Sequence, residues 1–206
     1  MAAGFAPQRD GDRLLDAVVD ILESEGYEAV QLREVARRAR SSLATIYKRY
    51  ATRDDLITAA LEYWMQQHRY AGITVRPREA GATLHEGLMG LLRTIFEPWE
   101  RHPHMLTAYF RVRSSPKGNE LFRFGLDIVA PAGLMMLDDV DDEFVAHLDS
   151  IISSLIYGLL GRFCAGEIAV TDILSTLDRT VYWVTQGYEL KALEQSRTAT
   201  SRSLNS

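Results

Sequence analysis

Residues 32–50 read LREVARRARSSLATIYKRY, and this stretch decides the fold. Leu32, Val35, Ala36 and Ala39 recur at the spacing of one helix face, with Arg33, Arg37 and Arg38 turned away. Ser41-Ser42 offers an N-cap for a second short helix. In that helix Leu43, Ile46, Tyr47 and Tyr50 fall on or near the inner side, while Ala44, Thr45 and Lys48 face outward. Two short helices joined by a tight turn make a helix-turn-helix. Its second helix has what a major groove requires: small residues that let the backbone approach, a hydroxyl, and a long cation for edges and phosphates.

Charge agrees with this reading without deciding it. Over positions 33–53, Arg33, Arg37, Arg38, Arg40, Lys48, Arg49 and Arg53 stand against Glu34 alone, a local +6 (7 − 1) in a chain of net charge −5. The overall acidity excludes nucleic-acid binding over the whole surface but not through a patch. A solvated helix face rich in arginine would give the same count.

Upstream, Leu14, Leu15, Val18, Val19 and Leu22 mark a first helix, with Gly26 at its C-cap. Residues 1–8 read as a mobile arm. Downstream, Thr52 and Asp55 form a capping box with a shortened acid, opening a fourth helix over 53–70. Arg53, in its first turn, lies where it could reach a DNA backbone.

These residues resemble the TetR/AcrR family of one-component transcriptional regulators. The resemblance is carried by Ala29-Val30, by Val35-Ala36 and Ala39, by Ser42, Thr45-Ile46-Tyr47 and Tyr50, and by Thr52-Arg53 with Leu56. It implies an all-α, two-domain homodimer: an N-terminal three-helix helix-turn-helix domain (1–52) and a C-terminal helical effector-binding and dimerisation domain (53–195, with 53–70 connecting). It assigns Tyr47 and Arg53 to phosphates and Ala44, Thr45 and Lys48 to the groove floor, with Arg33, Ser42 and Leu43 alongside. For Tyr47 core packing is the alternative, and Leu43 could touch a thymine methyl or simply pack.

The chain departs from the family at several places. Arg40 stands where Gly is usual in the turn, so a left-handed backbone there costs about 1 kcal/mol. Ala44 replaces a common Gly, Leu43 a frequent Lys, and Gln31 a Thr N-cap. Arg40, Leu43 and Ala44 are therefore the positions expected to set this chain's own operator preference.

The remaining sequence reads as helices. Residues 71–81, with Gly72, Pro77 and Gly81, read as a loop, and Thr83 with Glu86 caps the next helix. Leu84, Leu88, Leu91, Leu92, Ile95, Phe96 and Trp99 share one side of it before Arg101-His102-Pro103 breaks it. A short helix follows, then one over 117–137 in which Pro131 is expected to make a kink. An acidic run at 138–142 precedes a helix over 143–165 that is apolar on nearly all sides from 151 to 163. The last helix is expected over 171–193, and 196–206 as a disordered tail.

Trp99, Met105, Tyr109, Phe110, Phe124, Ile128 and Met135 fall on the middle helices, which in the family surround a ligand cavity. An aromatic and methionine stripe is more often ordinary core, although several Met together suit a pocket for apolar ligands. Arg-His-Pro, the Leu-Thr after it and the late pair of long helices resemble the actinobacterial steroid-catabolism repressors of the KstR type. That likeness implies a steroid or acyl-CoA thioester as the small hydrophobic effector. Arg111, Arg113 and Arg162 could meet an anionic ligand or be plain surface charges. The surplus apolar surface of the last two helices suggests an intermolecular four-helix bundle through Leu155, Leu159, Phe163, Val181 and Val184; a monomer with one internal helix is the alternative.

Other functions were weighed on their residues. His102 and His104 with His85 could be imagined around a metal, yet no further ligand stands at helical spacing, and no phosphate loop, nucleophile elbow or CxxC motif is present. No enzyme, cofactor or metal is expected. A helical interaction protein that never meets DNA would show no effect of Tyr47 or Lys48 on nucleic-acid affinity. The single Cys164, the absence of a secretory signal and the interruption of the apolar run 151–164 by Ser153, Ser154 and Arg162 point to a soluble cytoplasmic protein outside membranes.

Overall fold

The computed structural model describes residues 6–115 and 118–203, and all regular structure among them is helical. The helices are α1 (Ala6–Glu25), α2 (Leu32–Arg38), α3 (Leu43–Arg49), α4 (Arg53–His68), α5 (Leu84–Arg101), α6 (Pro103–Arg113), α7 (Gly118–Met136), α8 (Asp142–Cys164) and α9 (Thr171–Ser203). A 3-10 turn, Tyr27–Ala29, joins α1 to α2.

The chain divides into two compact units. The first comprises Met1–Ile73 and Thr94–Val129, the second Thr74–Arg93 and Ala130–Ser206. In the first unit Leu14, Val18, Ile21 and Leu22 of α1 are fully buried, as are Leu56, Ile57, Ala60, Leu61 and Trp64 of α4 and Met105 and Leu106 of α6. α1 packs on α4 and α6 as well as on α2. Residues on both sides of 52/53 therefore share this unit, because α4 is the helix on which α1 lies.

Polar contacts tie α1 to its neighbours. Glu23 accepts from the Trp64 indole at 2.9 Å and faces His102 Nδ1 at 2.8 Å, while its carbonyl lies 2.8 Å from His104 Nδ1. The Tyr63 hydroxyl donates to Asp16 at 2.9 Å, and Arg111 of α6 pairs with Glu28. The two histidines considered as metal ligands thus hold α1. His85, in the second unit, faces Asp178 at 3.0 Å.

The caps follow the sequence signals. Gly26 closes α1 with φ 83°, its N–H reaching the carbonyls of Ile21 and Leu22. Thr52 with Asp55 and Thr83 with Glu86 bond reciprocally at the starts of α4 and α5. Asp141 caps α8 by accepting from the N–H groups of Glu143 and Phe144. Gln31 makes no side-chain cap to α2. α6 begins at Pro103, where a missing N–H costs nothing.

In the second unit the loop before α5 is pinned by Arg78, which donates to the Met136 carbonyl at 2.9 Å and pairs with Asp139 at 2.6 Å. α8 and α9 pack together, with Leu148, Leu159, Leu160, Ile173, Leu177 and Val181 buried. Three differences from expectation stand out. Of the expected arm, residues 1–5 lie outside the described residues, whereas Ala6–Gln8 already belong to α1, where Pro7 is tolerated in a first turn. α9 runs to Ser203 through the stretch expected to be disordered, since neither Gly nor Pro follows Gly187. Finally, α8 is Asp142–Cys164, 23 residues, long and apolar enough by length and composition to cross a membrane; the 14-residue run weighed from sequence was only part of it.

Candidate nucleic-acid interface

The interface is built on a small buried core. Val35, Ala36 and Ala39 hold α2, and Ile46 is the buried residue of the seven-residue α3. A helix this short has little stability alone and takes its position from packing and caps. Ser42 supplies the cap: its Oγ accepts from the Thr45 N–H at 3.0 Å and lies 2.9 Å from the Thr45 hydroxyl.

Between the helices, the N–H of Ser41 reaches the Ala36 carbonyl at 2.9 Å, closing a turn in which Arg40 has φ 51°. It is the one non-glycine residue with positive φ among the described residues. The strain expected of Arg40 is therefore present, and the Arg40 side chain is exposed.

This geometry sorts the predicted residues. Ala44, Tyr47 and Lys48 share an exposed face of α3, with the Tyr47 ring 58% exposed, so core packing is not its role. Leu43 and Thr45 are half-buried at its edge, and Ser42 is exposed but engaged in the cap. Arg33 is exposed at the start of α2. Arg33, Arg40 and Lys48 make no ion pair among the described residues. In contrast, Glu34 binds Arg37 (2.5 Å) and Arg38 (2.6 Å), and Arg38 also pairs with Glu25 at 2.5 Å. Hydrogen bonds from Arg37 and then Arg38 hold the Glu34 carboxyl down at about 2. Part of the local positive charge is thus already neutralised.

Arg53 has its guanidinium engaged within the fold. Its Nε donates to the Val30 carbonyl at 2.5 Å, its Nη2 donates to the Tyr27 carbonyl, and its guanidinium lies 4.6 Å from the Tyr27 ring centre. Its nitrogens serve the turn between α1 and α2, adding a donor to the Tyr27 carbonyl, which also accepts from the Val30 N–H at 3.3 Å. The Tyr27 hydroxyl donates to Asp54 at 2.9 Å, and burial followed by that bond raises its pKa.

The residues proposed around a ligand fall in two groups. Trp99, Met105 and Tyr109 are buried in the first unit, Trp99 stacking on Trp64 with centroids 4.8 Å apart and meeting Tyr109 at 5.4 Å. Phe124 meets Tyr70 at 6.1 Å, and Phe110 and Ile128 are half-buried. Met135 belongs to the second unit and is 37% exposed, so these residues do not form one cluster within a unit. What the sequence reading missed lies among the first group: Arg69, whose guanidinium is 5.2 Å from the Trp99 ring and 5.6 Å from that of Tyr109. The three arginines considered for an anion are otherwise occupied. Arg111 pairs with Glu28, Arg113 lies over Phe122 at 4.7 Å, and Arg162 pairs with Glu167 at 3.0 Å.

The dimer residues also divide. Leu159 and Val181 are buried in the core of their own unit and cannot serve a partner; Leu155, Phe163 and Val184 are half-buried. The apolar residues that α8 and α9 leave exposed are instead Ile151, Tyr157, Tyr182, Leu190 and, at 68%, Trp183. Helical spacing had marked the apolar residues without telling which side the neighbouring helix covers.

Comparison with known proteins agrees with this architecture. Residues 14–60 match the family described as bacterial regulatory proteins, tetR family, and residues 81–184 match the tetracyclin repressor-like C-terminal domain. Among curated relatives, the "HTH-type transcriptional repressor KstR" of Mycolicibacterium smegmatis is 27% identical over 172 residues, 82% of this chain and 83% of the relative. The protein of that name from Mycobacterium tuberculosis is 26% identical over 174 residues, 82% and 77% of the two chains. In fold the chain is similar to a transcriptional regulator from a Rhodococcus species (TM-score 0.64, 20% identity, 86% and 96% covered). It is also similar to a TetR family transcription regulator from Marinobacter aquaeolei (TM-score 0.56, 19% identity, 86% and 95% covered).

Proposed function

We propose that this chain, which belongs to the TetR family of transcriptional regulators and is a DNA-binding repressor, reads its operator with the exposed face of α3 and releases it when a small hydrophobic effector binds. The observation that carries the reading is the face itself: Ala44, Tyr47 and Lys48 stand exposed on a capped helix. Ala44 lets the backbone approach the groove floor, Thr45 and Lys48 reach base edges, and Tyr47 donates to a phosphate. Arg33, Ser42 and Leu43 flank that contact, and Arg40 adds charge beside it.

The chain works as a homodimer. Ile151, Tyr157, Tyr182, Trp183 and Leu190 form the apolar surface that a second copy covers, giving α8 an apolar partner without a bilayer. Two copies place their α3 helices roughly 34–36 Å apart on successive major grooves of a palindrome. Residues 1–52 then act as the reading head and 53–195 as the effector and dimerisation part. The effector, of the steroid or acyl-CoA kind that the KstR likeness implies, favours a conformation in which α4 carries the two heads out of register.

Selection from a random duplex library with the purified protein supplies the operator. Lys48→Ala is then expected to weaken binding about tenfold and to reduce the slope of log affinity against log salt by about 2 per dimer. An affinity and slope unchanged in both Lys48→Ala and Tyr47→Ala would overturn this reading of α3.

A further inference from the structure

α4 ends on a cation whose hydrogen bonding is incomplete. The Arg69 guanidinium sits among four rings, 5.1 Å from Tyr70, 5.2 Å from Trp99, 5.6 Å from Tyr109 and 5.7 Å from Phe96. Nη1 donates to the Tyr70 hydroxyl at 3.0 Å and lies 3.7 Å from the Met65 sulfur. Nε is buried with no acceptor. No carboxylate of the described residues pairs with Arg69, whereas the half-buried Arg53 and Arg78 each have oxygen acceptors on Nε and Nη2.

A guanidinium in this setting is an expensive structural device. Ring faces attract the cation, yet an N–H removed from water and given no acceptor costs more than a neutral group would. The arrangement makes sense if the acceptor arrives from outside. Arginine grips a carboxylate with two parallel N–H groups, and here the Nη1 corner is already taken while the Nε/Nη2 edge is not. The surrounding rings suit an apolar or aromatic body. One guanidinium balances one negative charge, so a carboxylate fits where a phosphate dianion would leave a charge unmatched among apolar faces.

We infer that Arg69 is the anion-recognising residue of the effector site and that the effector is an apolar molecule bearing a carboxylate, which within the proposed reading selects a steroid-type acid over an acyl-CoA thioester. This rests on the effector reading above, since Trp99 and Tyr109 were assigned to that site independently. α7 contributes through Gly125: a Cβ there would lie 2.5 Å from the Tyr70 hydroxyl, so glycine lets α7 hold that hydroxyl beside Nη1.

Calorimetry with decanoate and its uncharged counterpart decanol tests the inference on the full-length chain, wild type, Arg69→Met and Arg69→Lys. Wild type is expected to bind decanoate at least tenfold more tightly than decanol. Arg69→Met should bind both alike, at the decanol level, and melt no lower than wild type, because it no longer carries an unsatisfied buried cation. Arg69→Lys should keep part of the preference. No preference in wild type, an undiminished preference in Arg69→Met, or a marked fall in its melting temperature would overturn the inference, the last by marking Arg69 as a structural clamp. Binding of the selected duplex without probe separates the two readings. If wild type and Arg69→Met bind it equally while decanoate shows no preference, the anion site fails and the regulator stands. If wild type binds no duplex while the preference is present, the regulator reading fails and the carboxylate site stands without its effector role.

Discussion

Arg53→Lys separates two roles that one arginine could play. As a phosphate contact, Arg53 would be replaced by lysine with little loss, since a point charge serves a phosphate well. As the structure has it, Arg53 bridges two backbone carbonyls, Val30 through Nε and Tyr27 through Nη2, with its plane over the Tyr27 ring. A lysine ammonium can hold one of those carbonyls but not both, nor can it stack as a plane. Losing one charge-assisted hydrogen bond costs about 1.5–3 kcal/mol, and the stacking about 0.5 kcal/mol more. The side chain retains 26% exposure, so water compensates part of this and about 2 kcal/mol is the working figure. For a unit of this size that is roughly 8 °C in melting temperature. The assay is a thermal melt of Arg53→Lys beside a salt titration of operator affinity. The melt is expected to fall while the salt slope of the folded protein is unchanged. A wild-type melt with an unchanged slope would refute the structural assignment and return Arg53 to the DNA, where a lysine serves a phosphate as well.

Two further predictions follow from the same geometry. Glu34 has its carboxyl lowered from an ordinary 4.5 to about 2 by Arg37 and Arg38. Its stabilising pairing is therefore fully present above the ordinary value and lost as pH falls from about 4.5 through 2; Glu34→Gln should flatten that segment of an acid titration, and an unchanged profile would show that the pairing contributes nothing. Trp183→Glu, placed on the most exposed large apolar residue of α9, should shift the protein from dimer to monomer in analytical ultracentrifugation and weaken operator binding. A stable dimer in that variant would move the interface elsewhere.

The head was legible from sequence because its signals are local. Ser42, Thr52 with Asp55, Thr83 with Glu86, Gly26 and Pro103 each act within three or four residues, so spacing alone places them. Even the strain at Arg40 was readable from the resemblance, since the family usually places Gly in this turn and the chain has Arg there. What could not be read is which groups meet across distance. His68-Arg69-Tyr70 resembles an ordinary helix end, and nothing in its spacing announces that Phe96, Trp99 and Tyr109 will surround the arginine. The bonds of Arg53 were hidden for the same reason: the carbonyls it serves lie more than twenty positions upstream. The burial of Leu159 and Val181 was hidden for another reason: α8 is apolar almost all round, and periodicity does not tell which stripe α9 covers.

The contacts around α1 constrain how an effector could work. A head hinged freely on α4 would need α1 to slide over α4 and α6, yet Glu23 and Asp16 hold it to Trp64, His102 and Tyr63, and Glu28 in the turn after it pairs with Arg111. Several of these pairs are exposed and each is worth at most about 1 kcal/mol, but beneath them lies a buried apolar seam from Leu14 to Leu22. An allosteric coupling is typically 1–3 kcal/mol, enough to break one or two such polar contacts and too little to open that seam. The head, α4 and α6 must therefore move together. α4, roughly 24 Å long at 1.5 Å per residue, is the element that carries this motion, with the Thr52–Asp55 cap behind α3 at one end and Arg69 at the other. On the proposed effector reading, a ligand that draws on Arg69 would act on the end of that helix, and the displacement would reach α3 as a change in the aim of the whole head, with the local geometry of the reading face preserved.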